Sequence, residues 1–308
     1  MSVGFKSVGV IGATGFIGRA LAGHLSSEGF EVVRFCRQPP EGEHWRAIGG
    51  DLDLRGLDAV VNLAGEPIAQ RWSCAAWANI HESRVGLTRS IVRAMQQMDP
   101  AERPAVLLNA SAVGIYPSSG NEEMREEEEP GTGRLAVLCR DWEAAAVEAE
   151  GLGVRVVPLR TGIVLGKGGE AWERLRMLFR VGLGGRLGSG RQWMPWIHLE
   201  DQVAAIAFAL QQDDLHGPLN LCAPEPVTNR EFTNSLARAL HRPAFCHAPR
   251  FALRLMLGGF GEEGLLASCR ALPARLIKLG FEFNHANLKD ALAELVGEEG
   301  SRSSKGEL

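Results

Sequence analysis

With 308 residues, 45% of them apolar and 23% charged, the chain has the length and composition of a globular protein that builds one large domain or two unequal ones. A net charge of -4 gives no basic footprint for nucleic acid and no polybasic patch for a membrane surface, so neither is expected as a partner. The six cysteines are scattered without a C-x-x-C pair and the eight histidines show no ligand spacing; reduced thiols and no metal site are expected.

The opening "MSVGFKSVGVIGATG" enters a first strand by about residue 7, which leaves no room for a signal peptide. No apolar run approaches the roughly 20 residues that span a bilayer. A cytoplasmic protein, or one in another reducing aqueous compartment, is expected. "VGVIGATGFIGRALAGHLSSEGFEVVRFCRQP" passes from an apolar run through a glycine turn and an amphipathic helix to a second apolar run, a β-α-β unit. "LDAVVNLAG" (57–65) reads as a buried strand, 74–98 as a helix and "PAVLLNASA" (104–112) as a further strand. "NEEMREEEEPGTG" reads as a loop whose run Glu126 to Glu129 is solvated. A helix over about 135–150 and the strand "VRVVPLRTGIVLG" follow.

Strands alternating with helices predict a doubly wound parallel α/β sheet of the Rossmann type. After Gly166 the pattern loosens into a glycine-rich loop (182–192), a short strand in "GPLNLCAPE" (217–225) and a largely helical remainder to about residue 296. The nucleotide-binding domain is placed at 1–165 together with 195–225. A smaller, mostly α substrate-side domain is placed at 166–194 and 226–297, and 298–308 is read as a frayed tail.

"GATGFIG" sets Gly12, Gly15 and Gly18 between strand and helix, with Thr14, Phe16 and Ile17 among them. Glycine there permits a tight turn, lets backbone approach a pyrophosphate and allows close helix–strand packing. The phosphates then meet the unpaired N–H groups of the helix N-terminus. The second strand ends "VVRFCRQP", with Arg34 and Arg37 where an NAD-binding chain carries an acid. An arginine pairs bidentately with phosphate. Arg37 is therefore expected on a ribose 2′-phosphate, and the cofactor is read as NADP(H). Asp51, in "GGDLDL", either approaches the adenine edge or serves as a turn aspartate.

Together with "GATGFIG", the segments "NLAGEPIAQRW", "SRVGLT", "SAVGIY", "WEAAA", "PLRTGIVLG" and "WIHLEDQV" resemble the extended short-chain dehydrogenase/reductases. More narrowly, with the closing "LPARLIKLGFEFNHANLKDAL", they look like the atypical epimerase-like subgroup with a C-terminal domain of unknown function. The resemblance runs from about Ser7 to Val296. It implies NADP(H) contacts from Leu63, Ala64 and Gly65 at a strand end, from Trp142, and from Pro158, Leu159 and Arg160 beside the nicotinamide. It also implies a homodimer as an open option, since such chains often pair through helices flanking the sheet.

The wider family relies on a tyrosine general acid and a lysine four residues later. Here those positions fall near Leu138 and Trp142, and Tyr116, the single tyrosine, is followed by Gly120. Three residues remain as catalytic candidates. Ser111 matches the family serine and is read as a donor to a carbonyl oxygen. Tyr116 either reaches the same pocket as an acid or packs under its loop. Arg84 either supplies part of the missing lysine's field or makes a salt bridge with Glu66 or Glu82.

Glu66, Arg71 and Trp72, beyond a strand's carboxyl end, are read as a substrate wall, and Gln192 and Trp193 as the substrate-facing pair. The leading expectation is an NADP(H)-dependent oxidoreductase or epimerase-like enzyme acting on an unidentified small molecule. A non-catalytic NADP(H)-binding sensor is its rival, and an NAD-dependent nucleotide-sugar epimerase ranks third because it would need the tyrosine.

Overall fold

The computed structural model describes residues 5–42, 44–49 and 52–303, apart from the side chains of 298–303. Seven parallel strands form its central sheet: β1 (Ser7–Ile11), β2 (Glu31–Cys36), β3 (Trp45–Ala47), β4 (Ala59–Asn62), β5 (Val106–Ala112), β6 (Arg155–Thr161) and β7 (Leu219–Leu221). Their spatial order is β7-β6-β5-β4-β1-β2-β3, and every neighbouring pair is parallel. The order reverses at β1, and ligands of open α/β sheets bind outside the carboxyl ends at such a point.

Valine- and leucine-rich strands of this kind are buried on both faces. Val8, Val10, Val61, Val106, Leu108 and Val157 pack with α1 (Phe16–Ser27) and a helix over Leu199–Leu210. Val33, Val60, Leu107 and Val156 pack on the other face, against α3 (Leu87–Gln97) and α4 (Arg134–Val147). By strand alternation Asn62, Asn109, Ser111, Arg160 and Asn220 share this second face. Polar side chains therefore line the α3–α4 side of the sheet near its carboxyl ends.

Four features differ from the sequence reading. The helix expected over 74–98 divides into α2 (Cys74–His81), a π-helical turn at Glu82–Gly86, and α3. The strand expected to run on to residue 166 breaks at Gly162, where a Cβ would lie 2.8 Å from the Pro195 carbonyl oxygen. Beyond it, Ile163–Leu165 pairs instead with Trp196–His198. Finally, β3 has only three residues and no apolar run to announce it. At the C-terminus the backbone stays helical over Leu288–Ser303, where a frayed tail was expected from residue 298; 304–308 lie outside the described residues. Among the described residues no helix is long and apolar enough to cross a membrane.

Candidate functional site

The glycine turn is sterically fixed. Gly12 has φ +84°, and a Cβ there would lie 2.9 Å from the Ala64 nitrogen. A Cβ on Gly18 would lie 2.2 Å from the Gly12 carbonyl oxygen, so helix α1 presses directly on the turn. Gly15 N–H donates to the Gly12 carbonyl at 2.9 Å, and no side chain caps the first turn of α1. Phe16 packs on Gly166 and Gly169, while Ile17 joins the core and Thr14 is exposed. These residues fit a dinucleotide pyrophosphate: a cradle only glycine fills, at an open helix N-terminus.

At the end of β2, Thr14, Cys36, Arg37 and Gln38 line a cleft of about 400 Å³. The Arg37 side chain is 85% exposed, and its Nη1 lies 3.7 Å from Glu66 Oε1. Glu66, read as substrate wall, thus stands beside Arg37, and its N–H donates to Ser83 Oγ at 3.0 Å. Arg34 lies over the Trp45 ring at 6.0 Å. Asp51 lies outside the described residues.

Leu63 and Ala64 are half-buried at the end of β4, and Ala64 N–H donates to Asn62 Oδ1. Behind Gly65 stands Arg84, whose guanidinium carbon a Gly65 Cβ would approach to 3.0 Å. The π turn carries Arg84, as such turns often do functional residues. Its guanidinium lies 5.2 Å from the Trp142 ring, and its Nη1 donates to the Ile80 carbonyl. Burial holds this guanidinium below the ordinary arginine value, with Cys139 and Glu66 opposing. Neither expected salt-bridge partner reaches it in the ion-pair geometry described.

Under the strand ends runs a buried polar ladder. Trp142 Nε1 donates to Thr88 Oγ1 at 3.0 Å, and Asn62 Nδ2 donates to Asn109 Oδ1 at 2.8 Å. Thr88 Oγ1 closes it on Asn109 Oδ1 at 3.2 Å.

Ser111, Arg160 and Asn220 are register partners on three adjacent strands. Ser111, 4% exposed, donates to Glu143 Oε1 at 2.6 Å. Arg160 grips the same carboxylate with Nε on Oε1 and Nη2 on Oε2, both at 2.9 Å. Its Nη1 donates to the Tyr116 hydroxyl at 2.9 Å and to the Glu126 carbonyl. Tyr116 in turn donates to Asn220 Oδ1 at 2.8 Å. Burial pushes the Tyr116 phenol above its ordinary value, with Arg160 opposing. Burial disfavours the Arg160 charge, but the bonds and charge of Glu143 outweigh it and raise that guanidinium. Cys139, behind Ser111, is pushed up to about 12 by burial, and is an inert thiol. Pro158 and Leu159 are buried in β6.

The remaining candidates lie elsewhere. Arg71 is exposed, whereas Trp72 is buried against Trp77 and Phe260 and donates to the Ile68 carbonyl. Gln192 is buried, its amide donating to the Leu187 and Leu265 carbonyls. Trp193 donates to Asn121 Oδ1 and lies beneath Arg270.

Two expectations need correction. Glu126 is not part of a solvated run: it is 4% exposed, and Oε1 accepts from the N–H groups of Asn220 (3.1 Å) and Arg275 (3.2 Å). Its neighbours Glu127 to Glu129 do face solvent. Nor are the histidines free of ligand-like company, because His198, Glu200, His285 and Glu294 converge. Sequence spacing hides this group, since Glu200 and His285 stand 85 positions apart. Glu143 was also missed; it follows Trp142 directly, in the helix where tyrosine and lysine were sought.

Residues 8–222 match the model of the NAD dependent epimerase/dehydratase family, which covers more than half of the chain. The chain belongs to that family. Residues 248–295 match a domain of unknown function, DUF1731, and the pairing makes the protein an atypical extended short-chain dehydrogenase/reductase. An epimerase family protein of Mycobacterium bovis is 44% identical over 292 residues, 92% of this chain and 96% of the relative. A chloroplastic SDR39U1 homologue of Arabidopsis thaliana is 36% identical, over 94% of this chain and 86% of its own. The crystal structure of human epimerase family protein SDR39U1 (isoform 2) with NADPH superposes with a TM-score of 0.87 at 32% identity, covering 95% of this chain and 99% of that one.

Proposed function

We propose that the protein is an NADP(H)-dependent oxidoreductase of this family in which Ser111 and Glu143 form the proton route that tyrosine and lysine form elsewhere. The observation that carries this is the 2.6 Å bond from Ser111 to Glu143 at the carboxyl end of β5. Ser111 has one proton, committed to Glu143, so its oxygen presents lone pairs to a ligand. It accepts a substrate hydroxyl proton as its own passes to Glu143, and the reverse transfer protonates an oxygen anion. This replaces the expected role of Ser111 as a carbonyl donor. Arg160, bidentate on Glu143, orients the carboxylate and balances its charge. A bound nicotinamide supplies the hydride acceptor or donor. Gly12, Gly15 and Gly18 would hold its pyrophosphate, and Arg37 the 2′-phosphate.

NADP(H) over NAD(H) is supported by exposed Arg37 beside an open cleft, by the lack of an acid at the end of β2, and by the NADPH bound to the human relative. The test is a titration with NADPH and NADH, read by energy transfer from the seven tryptophans, with Arg37→Glu alongside. Tighter NADPH binding that the variant reverses supports the reading; equal affinities in both proteins would falsify the 2′-phosphate assignment.

The sensor reading draws on one observation: the Tyr116 hydroxyl is fully engaged by Asn220 and Arg160, which leaves no conventional acid at the site. A panel of alcohols and carbonyls separates the two. Turnover that Ser111→Ala removes supports the enzyme, and cofactor binding without any turnover supports the sensor.

A further inference from the structure

The closing segment of the chain returns to the start of the helix Leu199–Leu210. His198 caps that helix, its Nδ1 accepting from the Glu200 N–H at 3.3 Å. Asp201, in the first turn, accepts from the N–H groups of Asn284 and His285 at 2.8 and 2.9 Å. Those two bonds set the His285 ring beside His198, centroids 3.9 Å apart, and Glu294 arrives from the last helix. His285 Nε2 lies 3.1 Å from Glu200 Oε2 and 3.4 Å from Glu294 Oε2, and His198 Nε2 lies 3.1 Å from the same Glu294 oxygen. All four side chains offer a ligand atom within 4.8 Å of one another.

We propose that this cluster is a zinc site in which His285 Nε2 and one oxygen each of Glu200 and Glu294 are the ligands, with His198 orienting Glu294. Tetrahedral zinc with bonds of about 2.0–2.1 Å has ligand–ligand edges of about 3.3 Å. The two distances from His285 Nε2, 3.1 and 3.4 Å, bracket that edge. The roles of the two histidines follow from their hydrogen bonds. His198 Nδ1 accepts a backbone N–H, which leaves Nε2 facing Glu294 Oε2 at 3.1 Å, where it orients the carboxylate as groups behind metal ligands commonly do. An imidazole among the ligands favours zinc over calcium or magnesium, which take oxygen. The Glu200 side chain is 63% exposed, so the fourth position opens to solvent and the ion has a path in. The ligands come from the epimerase-family region and from the DUF1731 region, residues 248–295, so the ion would staple the second to the first.

The test uses the full chain, stripped with a chelator and titrated with Co(II), Zn(II) and Mg(II). One equivalent of Co(II) should bind with the intense visible absorption of a tetrahedral nitrogen–oxygen site, Zn(II) should displace it, and Mg(II) should not. His285→Ala and Glu294→Gln should each weaken binding at least about tenfold, the range seen for losses around metal sites. Glu200→Gln, at an exposed side chain, gives the same reading if either of the others fails to fold. Three outcomes overturn the proposal: no stoichiometric uptake, uptake unchanged in His285→Ala, or a thiolate charge-transfer band that places the ion on cysteine.

Discussion

Ser111 and Glu143 are joined by a 2.6 Å hydrogen bond whose acceptor oxygen also takes Arg160 Nε at 2.9 Å. The two ends of this arrangement fail differently when altered. Ser111→Ala removes the relay but leaves the ion pair intact, so turnover should fall by about 10²–10⁴-fold with NADPH affinity nearly unchanged. Glu143→Gln leaves a buried guanidinium without its carboxylate and should destabilise the fold by about 3–5 kcal/mol, read by urea unfolding. A Ser111→Ala protein as active as wild type would remove the relay from consideration.

Glu66 lies near Arg37 and partly offsets its charge at the end of β2. Exposed pairs of this kind are worth about 0–1 kcal/mol. Glu66→Gln should therefore tighten NADPH binding by up to about fivefold and leave NADH nearly unchanged. Parallel titrations of the two nucleotides check this, and equal gains for both would show that Glu66 acts on something other than the 2′-phosphate.

The contact of Gly18 with the Gly12 carbonyl has no slack. Gly18→Ala places a methyl group 2.2 Å from that oxygen, so helix α1 must move away from the turn. A loss of about 1–3 kcal/mol is expected from overpacking alone, together with weaker dinucleotide binding. Gly23→Ala, at a glycine with nothing within 4 Å of the added carbon, is the control that should cost little.

Burial raises the Glu126 carboxyl, while the N–H groups of Asn220 and Arg275 oppose it. A carboxyl with a folded pKa above its unfolded one binds more protons in the native state. Its contribution is therefore most favourable below the unfolded value and declines as pH rises through the window between the two. Stability should fall as pH climbs above the ordinary value of 4.5, and Glu126→Gln should flatten that slope. Urea midpoints measured across this range in both proteins decide it; identical slopes would mean the carboxyl is not raised.

Much of the sheet was legible because buried parallel strands write themselves as apolar runs ending in glycine, as at Val8–Ile11 and Val60–Asn62. The glycine turn was legible for the same steric reason that fixes it. Trp45–Ala47 was not, since a three-residue edge strand needs only backbone partners from β2. The π turn was hidden because Glu82–Gly86 has the apolar spacing of ordinary helix on either side. In the site, Arg160 and Tyr116 were singled out but their partners were not. Arg160, Glu143 and Tyr116 are brought together by strand register and helix packing, and neither leaves a mark in local spacing. Glu126 looked solvated because the three glutamates after it are.

The polar seam along β6 has an implication for the order in which this protein becomes complete. Asn220 donates its amide to the Leu272 carbonyl at 2.9 Å, and Glu126 waits for the Arg275 N–H, 149 positions downstream. A nascent chain that has delivered only its first six strands exposes the Glu126 carboxylate and the Tyr116 hydroxyl while their partners Asn220 and Arg275 are still inside the ribosome. The C-terminal segment is thus the latch of the central sheet, and a chain cut before it inherits an unfinished interior.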